Sequence, residues 1–367
     1  MATLNEYYPE VVLHPSSTLN EKLREMKMSR KEFALRTGKP EKTIIAILKG
    51  ESSLTPEMAV LFENITKIPA HFWINKQARY NEYKARLNRK KDVEQAAEWT
   101  KKFPYNEMAK QNWVPKTLNI EERTIHLFDY FAVSTHEGWQ KLYMESELKV
   151  AAYASLKHTS DPYAISAWLR KGELQADQIS IPNFNLKVFK ENLQAIKEIM
   201  VNQSSGFFTQ LQNLCYQAGV KVFYTPKLPK VPINGSTRWI KDTPVIQLTA
   251  RYKQNDRFWF TFFHEAGHII LHGKKYISLE NIDFSEADPE KEKQAHEFAE
   301  ELIFSKEQEK EVLAKDKLVF NDIIMFSKKF NTHPAIIIGR LQHLGKIPYS
   351  VGREYIVPIN LSVVEQS

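Results

Sequence analysis

The clearest chemical potential in the chain lies in Phe263-His264-Glu265-Ala266-Gly267-His268, an H-E-x-x-H on an apolar, helix-periodic stretch. Histidines four residues apart lie on the same face of a helix. Both imidazoles can then hold one Zn²⁺ at about 2.0 to 2.1 Å, and Glu265 points at the attacking water to take its proton, the arrangement of metal-assisted peptide hydrolysis. Such a site needs a third ligand. The segment Glu290-Lys-Glu-Lys-Gln-Ala-His-Glu-Phe-Ala-Glu-Glu-Leu supplies Glu292, with Ala295 and Ala299 keeping that helix face slim enough to approach the histidine helix. His296, one turn later on the same face, is the alternative. Glu290 and Glu297 read as solvated, and His272 as a histidine closing its helix before Gly273. Arg238 and His333 are secondary candidates for stabilising an oxyanion, with packing or salt-bridging the plainer reading. Two histidines, one carboxylate and a general base suit zinc better than other metals.

A second pattern lies near the start, in SRKEFALRTGKPEKTIIAILKG. Ser29 can cap a helix running to Thr37, Gly38 supplies a left-handed turn, and a second helix follows from about Pro40 to Leu48, which is the layout of a helix-turn-helix. The second helix buries Ile44, Ile47 and Leu48, leaving Glu41, Lys42, Thr43, Ile45 and Ala46 towards the surface that a DNA major groove would meet. Arg30, Arg36, Lys39 and Lys49 flank it as phosphate contacts, while Lys42 and Thr43 are candidates for touching base edges.

These residues need elements to hold them. Residues 15 to 90 read as five short helices punctuated by Ser29, Gly38, Pro40, Gly50, Thr55-Pro56 and Pro69, with faces such as Leu19, Leu23 and Met26 sharing one small core. Residues 92 to 200 are again mostly amphipathic helices with no site chemistry, and Trp99, Trp113, Trp139 and Trp168 read as core or packing residues. From 201 the pattern becomes mixed: a helix in SGFFTQLQNLCYQAGV, strands in KVFYTP and TPVIQLTARY, then helices at roughly 256 to 273, 289 to 304 and 319 to 344. The segment NGSTRWIKDTPVIQLTARY reads as a loop and an edge strand to which a substrate peptide could add. The predicted class is α+β, predominantly helical: a domain over 1–91, a helical linking region over 92–200, a zinc-site domain with a small sheet over 201–345, and an extended tail over 346–367.

Composition narrows the partners. Of 367 residues, 43% are hydrophobic and 26% charged, as in globular rather than low-complexity chains. Lys plus Arg exceed Asp plus Glu by 51 to 44, and residues 1 to 91 alone hold 17 basic and 10 acidic side chains, so the whole excess of +7 sits in the first quarter. A polyanion partner is expected there. The single cysteine, Cys215, excludes an internal disulfide. No signal-peptide layout and no apolar run of about 18 residues is present, so a cytoplasmic protein with no membrane partner is expected.

The stretch from His14-Pro15 through Leu54-Thr55-Pro56-Glu57 to Phe72-Trp73 resembles the Xre-type helix-turn-helix of HigA-like antitoxins. That resemblance implies a homodimer on a palindromic operator in double-stranded DNA, commonly its own promoter, and neutralisation of a toxin. Glu41, Ile45 and Ala46 depart from the small polar residues common on the recognition helix. FWFTFFHEAGHIILHG with EKQAHEFAEELIFS resembles the ImmA/IrrE family of gluzincin-like metallopeptidases, whose Glu-x-x-Ala helix supplies the third ligand. Carried over, His264, His268 and Glu292 match the zinc ligands and Glu265 the general base. His296 stands where Asn or Asp is usual, and Phe304-Ser305 replaces the commoner Met-Pro. The expected function is a DNA-binding transcriptional regulator of antitoxin type carrying a zinc-dependent endopeptidase that acts on a protein partner, toxin or repressor. The alternative is a non-catalytic antitoxin that neutralises its toxin by binding, with structural zinc.

Overall fold

The computed structural model describes residues 11–147, 161–249, 254–275, 278–279, 289–315, 318–359 and 361. The chain divides into two compact units, Met1–Ala96 and Ala97–Ser367. The stretch read above as a linking region falls across that boundary, its first residues completing a long helix of the first unit and its other described residues belonging to the second.

The first unit contains α1 (Pro15–Glu25), α2 (Arg30–Thr37), α3 (Glu41–Leu48), α4 (Pro56–Thr66) and α5 (Ala70–Gln95). The ends of these helices follow from local chemistry. Ser29 Oγ accepts the Glu32 N–H at 3.1 Å to start α2, and Gly38 ends it at φ 63°, a conformation that costs glycine nothing. Thr55 caps α4 by accepting the Met58 N–H, with Pro56 in the first turn. Leu19, Leu23, Phe33, Ile44, Ile47, Leu48, Phe62 and Trp73 form one buried core. Met26, placed on that core by spacing, is only half-buried.

The second unit opens with α6 (Ala97–Thr100), α7 (Tyr105–Lys110), α8 (Ile120–Phe131) and α9 (His136–Trp139), the last running on in wider turns to Glu147. Next come α10 (Pro162–Asp177), α11 (Leu186–Asn202), α12 (Phe207–Gln217), β1 (Lys221–Tyr224), β2 (Gly235–Ile240) and β3 (Thr243–Leu248). The chain continues through α13 (Asn255–His272), β4 (Ser278–Leu279), α14 (Pro289–Ile303), α15 (Lys306–Leu313), α16 (Phe320–Phe330) and α17 (Pro334–His343). Trp99, Trp113, Trp139 and Trp168 are all buried, as packing residues should be.

The sheet has the order β1-β3-β2-β4, with β1 parallel to β3 and the other pairs antiparallel. Two sequence expectations change here. NGSTRWI, read as a loop, forms β2, and the segment read as an edge strand is β3, paired on both sides. A strand flanked by two neighbours has no free ladder edge to offer a peptide. Alternation along the strands gives the sheet two committed faces. Val222, Ile246 and Leu248 join the main core with Phe258, Phe262 and Ile269 of α13. Phe223 and Val245 pack instead with Ala176 of α10. On the α10 side, Gln247 Nε2 donates to Trp168 O at 2.7 Å and Trp168 Nε1 to Thr225 O at 3.2 Å. Gly172 permits this approach, because a Cβ there would meet the Gln247 side chain at 2.2 Å.

Beyond α14, the chain adds the unexpected short helix α15, capped by a reciprocal pair in which Ser305 Oγ accepts from Gln308 N and the Gln308 side chain accepts from Ser305 N. The span expected to be helical over 319 to 344 is two helices separated at Asn331, whose φ is 49°. The terminal segment folds back: Asn255 N donates to Val357 O at 3.1 Å and Asn255 Nδ2 to Tyr355 O at 2.9 Å, which fixes the start of α13.

Candidate metal centre

The helix α13 forms because its apolar residues recur at helical spacing and face both the sheet and α14, and it stops at Gly273, φ 65°. His264 and His268 lie one turn apart on it, 4% and 1% exposed. Helix α14 can lie close because Gly267 faces Ala295: a Cβ at 267 would sit 3.3 Å from Ala295 Cα and 3.0 Å from Phe298 Cδ1. Close packing through Gly267, Ala295 and Ala299 brings Glu292 onto the histidine pair. His264 Nε2 is 3.1 Å from His268 Nε2 and 3.2 Å from Glu292 Oε2. His268 Nε2 is 3.4 Å from Glu292 Oε1.

Ligand atoms held at about 2.0 to 2.1 Å around a tetrahedral Zn²⁺ stand about 3.3 to 3.4 Å from one another. The observed separations of 3.1, 3.2 and 3.4 Å fit that figure. The donor set fits as well, since two imidazole nitrogens and one carboxylate are borderline and hard ligands of the kind zinc takes. Burial, opposed by the Glu292 carboxylate, lowers the His268 pKa to about 4. Its ring is therefore neutral at pH 7, with a lone pair available for a metal.

An outer partner, which the spacing argument had read only as a helix-end histidine, stands behind His268. Its Nδ1 lies 3.0 Å from His272 Nδ1, and His272 Nε2 lies 3.2 Å from Gln294 Oε1. One assignment of protons satisfies both contacts: His268 donates from Nδ1, His272 accepts at Nδ1 and donates from Nε2 to the Gln294 carbonyl. That assignment leaves His268 Nε2 unprotonated towards Glu292 and His264, as a ligating imidazole requires.

Glu265 is fully buried between α13 and β2. Thr237 Oγ1 donates to Glu265 O at 3.0 Å, and Gly235 leaves the space its side chain fills. His296 is not part of the cluster: its ring centroid is 6.4 Å from that of His264, and its Nε2 faces Glu300 at 3.3 Å. Glu297 pairs with Lys306 at 3.2 Å, and Glu290 accepts from Gln294 at 3.3 Å on the exposed side of α14. Arg238, weighed above for the oxyanion, faces α10 instead. Its guanidinium meets Glu173 at 3.1 Å and Leu169 O at 2.8 Å, and it is 3% exposed. His333 caps α17 by accepting the Ala335 N–H at 3.1 Å. Burial holds its pKa near 4.

In the first unit, α3 presents Glu41 and Lys42 as exposed and Thr43 as half-buried, with Lys49 exposed at its end. Arg30 is exposed, Lys39 is half-buried, and Arg36 is tied to Glu32 at 2.9 Å. Lys49 stands 3.8 Å from Glu51. Among the described residues, no helix is long and apolar enough to cross a membrane.

Residues 19–73 match the family model described as Helix-turn-helix, and residues 215–319 match that of the IrrE N-terminal-like domain, a span containing His264, Glu265, His268 and Glu292. Among solved structures, the chain is similar to an addiction module antidote protein of a HigA family from Coxiella burnetii. The two share 29% sequence identity, covering 23% of this chain and 92% of that chain with a TM-score of 0.22. No curated protein matches the chain. The chain thus carries one stretch similar to an Xre-type helix-turn-helix domain and a second similar to the IrrE N-terminal-like domain of the peptidase kind.

Proposed function

We propose that this protein is a cytoplasmic, DNA-binding transcriptional regulator of antitoxin type whose second unit is a zinc-dependent endopeptidase. Its partners are operator DNA, bound as a homodimer at its own promoter, and a protein, toxin or repressor, that the second unit cleaves. The observation carrying this reading is the convergence of His264, His268 and Glu292 within 3.4 Å of one another, with Glu265 one residue from His264. Zinc, when bound by these three residues, supplies Lewis-acid polarisation of the peptide carbonyl and lowers the pKa of water. Glu265 takes the proton of the attacking water as its oxygen bonds to the carbonyl carbon, then delivers it to the nitrogen as the C–N bond breaks. His272 and Gln294 keep His268 in the ligating tautomer. The basic first unit, with Lys39, Lys42, Thr43 and Lys49 beside α3, brings this chemistry to a promoter.

The second reading, a non-catalytic antitoxin with structural zinc, draws on the complete burial of Glu265, which suits a closed site. Metal content and cleavage separate the two. Purified wild type should hold one zinc per chain, Glu292→Ala should lose it, and proteins encoded beside this gene should be cleaved by wild type and not by Glu265→Gln. Zinc without Glu265-dependent cleavage would support the second reading, and no zinc would overturn both.

A further inference from the structure

Beside the His264/His268/Glu292 cluster lies a cavity of about 430 Å³. Phe260 and Thr261, one turn before His264 and Glu265 on α13, form part of its wall, as does His296. The Phe260 ring stacks 6.2 Å from that of His264, so this one wall residue connects the cavity to the cluster. Ile303, Phe304, Ile336 and Ile356 give it apolar sides. A further turn back, about 6 Å along the helix, is Asp256, also in the wall. Its Oδ1 is buried and has no hydrogen-bond partner among the described residues. Burial raises the Asp256 pKa, against its neighbouring backbone N–H groups and Arg257. Gly339 of α17 faces this carboxylate at a distance that admits no side chain, since a Cβ there would stand 2.5 Å from Asp256 Oδ2.

The other charges of the wall are mostly committed. Arg340 is held by Glu300 at 2.8 Å and by Glu309, and His296 is kept from protonation chiefly by burial. Arg257 is exposed at the surface. Beside the apolar side chains of this wall, a half-buried carboxylate with one oxygen lacking a partner among the described residues gains from a donor that reaches it through the cavity. A long side chain with an apolar stem and a cationic head meets both requirements.

We infer that this cavity is the pocket for a basic side chain, Arg or Lys, of the peptide received at the metal centre, with its cation on Asp256. The inference deepens the peptidase reading and rests on it for the word peptide, but the pocket's chemistry can be tested without catalysis. The guanidinium donates to Asp256, the stem lies against Phe260 and Ile336, and the backbone is left at the turn carrying His264 and Glu265.

The first arm uses the metal-free full chain and n-butylguanidinium, with n-pentanol as the uncharged probe, followed by calorimetry and by NMR of the ligand. Binding of the cation should be at least tenfold tighter than that of the alcohol, and lost in Asp256→Asn. Gly339→Ala, which keeps the charge but displaces the carboxylate, should weaken it as well. The second arm uses the zinc-loaded full chain and a positional-scanning peptide library, in which Arg or Lys should exceed citrulline at least tenfold on one side of the scissile bond. Equal binding of both probes, or binding unchanged by Asp256→Asn, overturns the pocket even where Glu265-dependent cleavage is found. Asp256-dependent binding with no cleavage of any peptide supports the pocket and fails the peptidase reading instead.

Discussion

Gly235 lies against the side chain of Glu265: a Cβ built on Gly235 would fall 2.9 Å from Glu265 Oε1 and 2.6 Å from Thr261 Cγ2. The strand β2 and the helix α13 therefore meet at the proposed base with no room for one methyl group. Gly235→Ala should shift Glu265 while leaving His264, His268 and Glu292 in place. The expected result is unchanged zinc content with a ten- to hundredfold loss of peptide hydrolysis, the scale set by a misplacement of about 1 Å. Retained zinc with full activity would show that Glu265 does not need this fit.

Arg238 and Glu173 tie β2 to α10 through a pair whose side chains are 4% and 17% exposed. Arg170 and Tyr143 also contact that carboxylate, at 2.7 and 3.1 Å. Removing one partner of a buried pair costs about 3 to 5 kcal/mol. Arg238→Met should lower unfolding free energy by that order, read in urea, while kcat of the folded fraction changes little. A collapse of kcat at unchanged stability would restore the oxyanion role.

His333 predicts a pH dependence of stability. Its pKa in the fold is about 4 against an ordinary 6.5, because burial disfavours the charged ring. The unfolded chain then binds the proton more readily between those values. The contribution of His333 is fully present above pH 6.5 and is lost as pH falls towards 4. His333→Asn keeps a capping acceptor for α17 and removes the titration. Urea midpoints at pH 7 and pH 5 should fall further for wild type than for the variant, and equal falls would locate the acid sensitivity elsewhere.

The α3 surface gives a prediction for DNA. Lys42→Ala and Lys49→Ala should each weaken binding to all sequences and reduce the slope of log K against log salt by about 0.9. Thr43→Ala should instead relax sequence preference by about 1 to 3 kcal/mol at one base pair. Arg36→Ala should have the smallest effect on the slope, since Glu32 already partners that guanidinium. A salt slope unaffected by any of these lysines would place the DNA contact on another surface.

Much of the fold was legible because it is local. Ser29, Gly38 and Thr55-Pro56 delimit helices through hydrogen bonds and dihedrals within a few residues of themselves, so the five helices of the first unit could be read from type and spacing. The pairing of His264 with His268 is equally local, a consequence of 3.6 residues per turn. NGSTRWI was misread because its burial pattern is not alternating: both faces of β2 are covered, Thr237 by α13 and Arg238 by α10. Nothing within ten residues announces that covering.

The sequence by itself determined where the helices of the first unit begin and end, that two histidines share a helical face, and that the positive charge gathers in the first unit. Only the tertiary structure decided that Glu292 and not His296 meets those histidines, that His272 and Gln294 stand behind them, and that Arg238 turns to Glu173, 65 residues earlier in the chain. The physical reason is that helical periodicity fixes which side chains share a face, whereas the partner of that face is chosen by how closely two elements can pack. At this centre that closeness is set by Gly267 against Ala295 and by Gly235 against Glu265, contacts between residues whose spacing in the chain carries no period.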